Sequence, residues 1–266
     1  MPEAVLHPIP RRVDVAREQL RAVGLSLRRE GAVAAGALGL LSVVILWDEL
    51  REGYGGMNMT PELGVPVALV ALLVPMAVWK GEGPGGRGYH HAMPVERGPH
   101  AVARGVAGLV WTLAATGAWF AWLVAVALAS GSRFDGMWGA DWRFAAPVAG
   151  VVVMYLLGSA LTLRAAHPWR WLGGGAAGYV FLKMLAGPDG ELWLYRAANE
   201  VLRGRYGVMT LLTGRSPVWI HTSLEGRAYE YLSHRPVASV WVMSVWLWLT
   251  LALLLFLWSA YRQPER

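Results

Sequence analysis

Chemistry in this chain would have to come from seven histidines, two lysines, a glycine-rich loop and a scatter of arginines and carboxylates, because there is no cysteine. Disulfides, thiolate metal sites, iron–sulfur clusters and cysteine nucleophiles are excluded on that ground. His90 and His91 are adjacent, so on a helix they point about 100° apart and chelate poorly. The other histidines, His7, His100, His167, His221 and His234, lack a neighbouring carboxylate cluster, and no metal is expected. Gly81, Gly83 and Gly86 match G-x-G-x-x-G in letters only, for the string follows an apolar run rather than a strand and Pro84 interrupts it. A Walker A loop needs Gly-Lys followed by Ser or Thr, whereas Lys80 precedes Gly81 and Lys183 precedes Met184. No G-x-S-x-G elbow or H-E-x-x-H pair is present, so hydrolase chemistry has no foothold.

The elements that must position these groups are apolar. Of 266 residues, 55% are hydrophobic and 16% charged, with a mean hydropathy of +0.38. A soluble domain carries about 25% charged residues. Disorder and a soluble nucleic-acid binder are therefore not expected. The net charge of +6 is read as the basic excess of cytoplasmic loops, not as a nucleic-acid footprint. A spanning helix needs about 20 apolar residues, and six blocks suit: Gly31–Trp47, Leu63–Trp79, Gly105–Ala129, Ala145–Leu163, Trp171–Ala186 and Val237–Tyr261. The fifth is short, carries Lys183 and holds four glycines, Gly173, Gly174, Gly175 and Gly178. With the N-terminus inside, fourteen basic residues fall in inside segments and three in short outside loops. Both termini are thereby expected in the cytoplasm, in a multi-pass bacterial-type inner-membrane protein. No cleavable signal peptide is expected, since the first apolar block follows a charged segment.

The fold class expected is an all-α polytopic membrane protein with six spans. Residues 1–30 form a cytoplasmic amphipathic segment, 31–186 carry spans one to five with a cytoplasmic loop at 80–104, 187–236 form an outer or re-entrant helical segment, and 237–266 hold the last span and a short tail. Val13, Ala16, Leu20, Val23 and Leu27 are spaced 3, 4, 3 and 4 apart, which defines one face of an interfacial helix. In the outer segment Leu192, Tyr195 and Leu202 share a helical face. Ser216–Pro217 reads as the cap and first turn of a further helix carrying Ile220, Leu224 and Tyr231. Small residues four apart, Ala101/Gly105, Ala146/Gly150 and Gly174/Gly178, predict close helix packing.

Ion coupling needs ionisable groups within the spans. Their interiors hold no Asp, Glu or His, and Lys183 is the one clear charge, so a partner is expected to supply energy. Transmembrane haem is likewise not expected, because no histidine lies mid-span.

This order of parts resembles the ABC transporter permeases of the type-2 exporter class. The local string is Tyr89 to Arg97, YHHAMPVER, followed by Gly98 to Arg104 leading into the third span. It is similar to the family's recurrent Pro-Val-(Ser/Thr)-Arg segment, with Glu96 standing where a small hydroxyl residue is commoner. The resemblance implies that Met93, Pro94, Val95, Glu96 and Arg97 form a coupling helix on an ATPase subunit, flanked by Tyr89 and His100. It implies no catalytic residue and no cofactor in this chain, ATP and magnesium belonging to the partner ATPase. It also implies a second permease chain, as a homo- or heterodimer, within the lipid bilayer. The helix at Val13–Leu27 would be the family's interfacial elbow. Two alternatives stand beside this reading: a non-transport anchor or assembly subunit of a respiratory or photosynthetic complex, and a membrane-embedded enzyme acting on lipids.

Overall fold

The computed structural model describes residues 12–51, 60–80, 97–130, 142–187, 192–224 and 227–262. Within them the chain is mostly helical, and five helices are long and apolar enough to cross a membrane. Helices suit that setting because every backbone hydrogen bond is made within the segment.

The first, α1, runs unbroken over Arg12–Arg51, 40 residues. At 1.5 Å per residue it is about 60 Å long, roughly twice the hydrocarbon thickness of a bilayer. Where a boundary at residue 30 is expected, the helix continues without a break: no proline interrupts RREGAVAAG, and Gly31 and Gly36 are accepted within it. A 3₁₀ turn at Pro61–Gly64 leads into α2, Val65–Val78. Next comes α3, Arg97–Ala129, which starts eight residues before the expected span. After a second 3₁₀ turn at Trp142–Phe144, α4 covers Ala145–Arg164.

Pro168 opens α5, Pro168–Ala186, and Gly187 closes it in a left-handed conformation at φ 64°. This helix is not among the five apolar ones. Trp169, Arg170, Lys183 and its glycines lower its hydropathy, so the number of spans shown is five candidates rather than six. The short helices α6, Trp193–Arg203, and α7, Val208–Thr213, follow. Then comes an antiparallel hairpin of β1, Arg215–Leu224, and β2, Arg227–Pro236, and α8, Ala238–Tyr261, ends the described fold.

The hairpin corrects one expectation, a helix starting at Ser216–Pro217, and is a two-stranded addition to a polytopic body that is otherwise helical. Val218, Trp219, Ile220 and Thr222 are β-branched or aromatic, types that favour strands. Ten register pairs run from Arg215↔Pro236 to Leu224↔Arg227. Pro217 is tolerated because a two-stranded sheet consists of edges only.

The body is organised around α4, the most buried of the apolar helices, while α1 is the most exposed. α4 packs chiefly on α2 and α8, then on α3 and α7. Missing side chains permit this. Gly158 faces the Leu72 carbonyl so closely that a Cβ would overlap it and crowd Pro75, and Gly64 likewise abuts Pro147. Of the three small-residue pairs, Ala101/Gly105 and Ala146/Gly150 sit in such contacts, with Gly105 under Phe256 and Gly150 under Leu212. The third does not, since a Cβ on Gly174 or Gly178 would meet nothing within 4 Å. Accordingly α5 packs on α6 and stands apart from the other long helices.

Candidate functional site

The site expected from the sequence is the loop joining the second and third apolar helices. Tyr89, Met93, Pro94, Val95 and Glu96 lie outside the described residues. Arg97 is the first residue of α3, and His100 is half-buried in its first turn. What the structure describes is the packing of α3, the helix that follows this loop.

α3 emerges from the loop between three neighbours. Gly98 lies beneath the ring of Tyr261, at the far end of α8, and Gly105 lies beneath Phe256 two turns further on. The Arg104 Nε donates to the Val78 carbonyl at 2.9 Å, tying α3 to the last residue of α2. Its guanidinium also lies 6.0 Å from the centre of the Trp79 ring, within cation–π reach. From α4, the buried Tyr155 hydroxyl donates to the Gly105 carbonyl at 2.9 Å. Gly108 makes room for that hydroxyl.

The outer contour of this end is fixed by α1. Trp111 of α3 donates its indole N–H to the Leu20 carbonyl at 2.9 Å, over Gly24. Lys80 pairs with Glu30 at 3.0 Å, both partners being solvent-exposed or nearly so. Higher up, Trp122 donates to Ser42 Oγ at 3.0 Å. Leu20 and Ser42 are 22 residues apart on α1, whereas Trp111 and Trp122 are 11 apart on α3. At 1.5 Å per residue these intervals are about 33 and 16 Å. The two bonds therefore tie α1 to α3 at two levels, with the longer interval on α1. Of the five residues of the predicted α1 face, Leu20, Val23 and Leu27 pack inward and Ala16 is exposed, while nothing is described for the side chain of Val13.

At the opposite end the segment after α5 is built into the body. Leu211 and Leu212 of α7 are fully buried, Leu212 against Gly150 of α4. Ser244 donates to the carbonyls of Tyr206 and Gly207 at 3.2 and 3.4 Å, and Trp248 donates to Tyr206 at 2.8 Å. These donors lie about 9 and 15 Å along α8 from its start. Non-helical backbone is thus hydrogen-bonded by side chains well inside the helical body, the condition for irregular chain at membrane depth. Trp241 completes the attachment by donating to the Leu211 carbonyl at 3.2 Å, and its ring lies 5.1 Å from that of Trp142. Glu62 and Arg215 form an ion pair at 2.8 Å that ties the hairpin's first residue to the 3₁₀ turn before α2.

Sequence reasoning missed Tyr155, Trp111, Ser244 and Trp248. Their signal was available as polar atoms within apolar runs, which in a membrane need a partner on another helix. Among the described residues, no group of three or more His, Asp or Glu comes together as a metal site. Compared with protein-family models, curated proteins and solved structures, the chain matches none.

Proposed function

We propose that this chain is the membrane-spanning permease subunit of an ATP-driven exporter, coupled through its loop at 80–104 to a separate ATPase subunit. The observation that supports it most is the seat of α3. The helix leading out of the loop is bonded within its first three turns to α2 through Arg104, to α4 through Tyr155, and packed on α8 through Gly98 and Gly105. A push on the loop is passed to three long helices at once. Coupling of this kind needs an element whose contacts differ between two states, and the start of α3 is the element proposed.

In this reading α5 serves as the fifth of six spans, and both termini face the cytoplasm of an inner-membrane compartment. ATP and magnesium are handled by the partner, and a second permease chain completes the pathway. Met93, Pro94, Val95, Glu96 and Arg97 carry the docking contact, flanked by Tyr89 and His100. The sequence favours a partner-driven device because its spans hold no Asp, Glu or His to run on an ion gradient. The test is a cysteine at Pro94, clean in a cysteine-free chain. It should cross-link to an ATPase subunit in native membranes, and a yield that changes with nucleotide supports coupling. No adduct from any position between 89 and 97 would remove the proposal.

A further inference from the structure

The helix α6 divides into three arcs when its residues are advanced by about 100° each. Tyr195, Ala198, Asn199 and Leu202 form the arc turned toward the protein. Asn199 accepts from the Tyr179 hydroxyl of α5 at 3.4 Å, and the rings of Tyr179 and Tyr195 lie 5.9 Å apart. A second arc, Trp193, Leu194, Ala197 and Val201, is apolar yet exposed, with Trp193 72% and Val201 53% accessible. The third arc is polar and also exposed, comprising Arg196, Glu200 and Arg203, and Arg205 follows it.

A docked helix in water gains nothing by exposing a tryptophan and a valine beside arginines. A helix in the headgroup layer does, because its apolar side enters the acyl region while its basic side meets phosphates. We infer that α6 is seated on a phospholipid surface, with Trp193, Ala197 and Val201 dipping into the acyl chains and Arg203 and Arg196 facing lipid phosphates. Charge complementarity selects the occupant, since the polar arc with the following residue carries three arginines against one glutamate. The position agrees, because α6 joins α5 to the chain that is built into the first half of α8, so it lies at the end of the body where α8 begins. The seat holds for a permease or for an anchor subunit alike and does not depend on the transport reading.

The absence of cysteine makes the test clean. Single cysteines replace Trp193, Arg196, Ala197, Glu200, Val201 and Arg203 in the full chain, each carrying a nitroxide, in vesicles of phosphatidylcholine with phosphatidylglycerol. Labels at 193, 197 and 201 should collide with oxygen more often than with a water-soluble nickel chelate. Labels at 196, 200 and 203 should show the reverse order. Replacing the phosphatidylglycerol with phosphatidylcholine should mobilise the label at 196 while leaving the one at 197 in lipid, since the basic arc, left with Arg203 and Arg205, then faces no net negative charge. Six labels that all favour the chelate would overturn the inference and make α6 a water-exposed cap. Labels at 193, 197 and 201 shielded from both reagents would overturn it in favour of a protein partner on that arc.

Discussion

The indole N–H of Trp111 reaches the main-chain carbonyl of Leu20 at 2.9 Å because Gly24, one turn on, has no side chain in the way. A Cβ on Gly24 would stand 3.0 Å from the ring. Together with the Trp122–Ser42 bond, this contact ties α1 to α3 at two levels. Gly24→Leu should force the ring aside and destabilise the chain by about 1–3 kcal/mol, the usual cost of overpacking. Trp111→Phe, which loses the hydrogen bond and some packing, should cost less than Gly24→Leu. Unfolding in mixed detergent micelles reads both, and equal stability of Gly24→Leu and the parent chain would contradict the contact.

Glycines separate into two behaviours. Gly158→Ala places a methyl group on the Leu72 carbonyl, a backbone atom that cannot rotate away. It should be among the most damaging single substitutions, about 3 kcal/mol or more. Gly174→Ala enters open space and removes a helix-interior glycine, so stability should stay level or rise by up to about 1 kcal/mol. Thermal unfolding of the two variants side by side checks this ordering, and a matched loss in both would count against α5 standing apart.

Ser244 and Trp248 serve the same stretch of non-helical backbone. Ser244→Ala combined with Trp248→Phe removes the two side-chain donors that the described residues give to the Tyr206 and Gly207 carbonyls. A buried acceptor left unpaired costs about 1–3 kcal/mol. Amide hydrogen exchange over residues 204–213 should accelerate, while α4 exchanges as slowly as before. Unchanged exchange in that window would mean that the carbonyls have other partners.

The long helices were legible because a bilayer imposes one requirement, about 20 apolar residues with an internally bonded backbone. α4 begins at Ala145 and α8 ends at Tyr261, where hydropathy alone placed those limits. The unity of α1 was not legible. The periodic face at Val13–Leu27 and the apolar run after Gly31 differ in polarity, and polarity was taken as a boundary although the backbone crosses it without a break. The hairpin was missed for a local reason, because Ser216–Pro217 satisfies the rule for a helix start. The β-branched and aromatic run Val218–Ile220 outweighs that rule. The seat of α3 was partly legible, since Ala101/Gly105 was picked as a close-packing pair. Tyr155, 50 residues from Gly105, could be placed only by the fold.

Tyr155 joins the seat of α3 to the central helix. Tyr155→Phe keeps the ring and deletes the hydroxyl that reaches Gly105, at an expected cost of about 0.5–1.5 kcal/mol. If the seat transmits motion from the loop, the same variant should weaken ATP-dependent transport relative to ATP hydrolysis in a reconstituted complex. A fall in both by the same factor would assign Tyr155 a purely structural role.

Purification of the tagged full chain with its natural partners, followed by an ATPase assay in lipid nanodiscs, bears most directly on the central proposal. The account predicts that a nucleotide-hydrolysing subunit with a Walker A loop accompanies the chain. Replacing both Glu96 and Arg97 with alanine should reduce that association, or the transport-coupled hydrolysis, several-fold while the chain stays folded. A chain that purifies with redox subunits, haem or pigment and without an ATPase would contradict it.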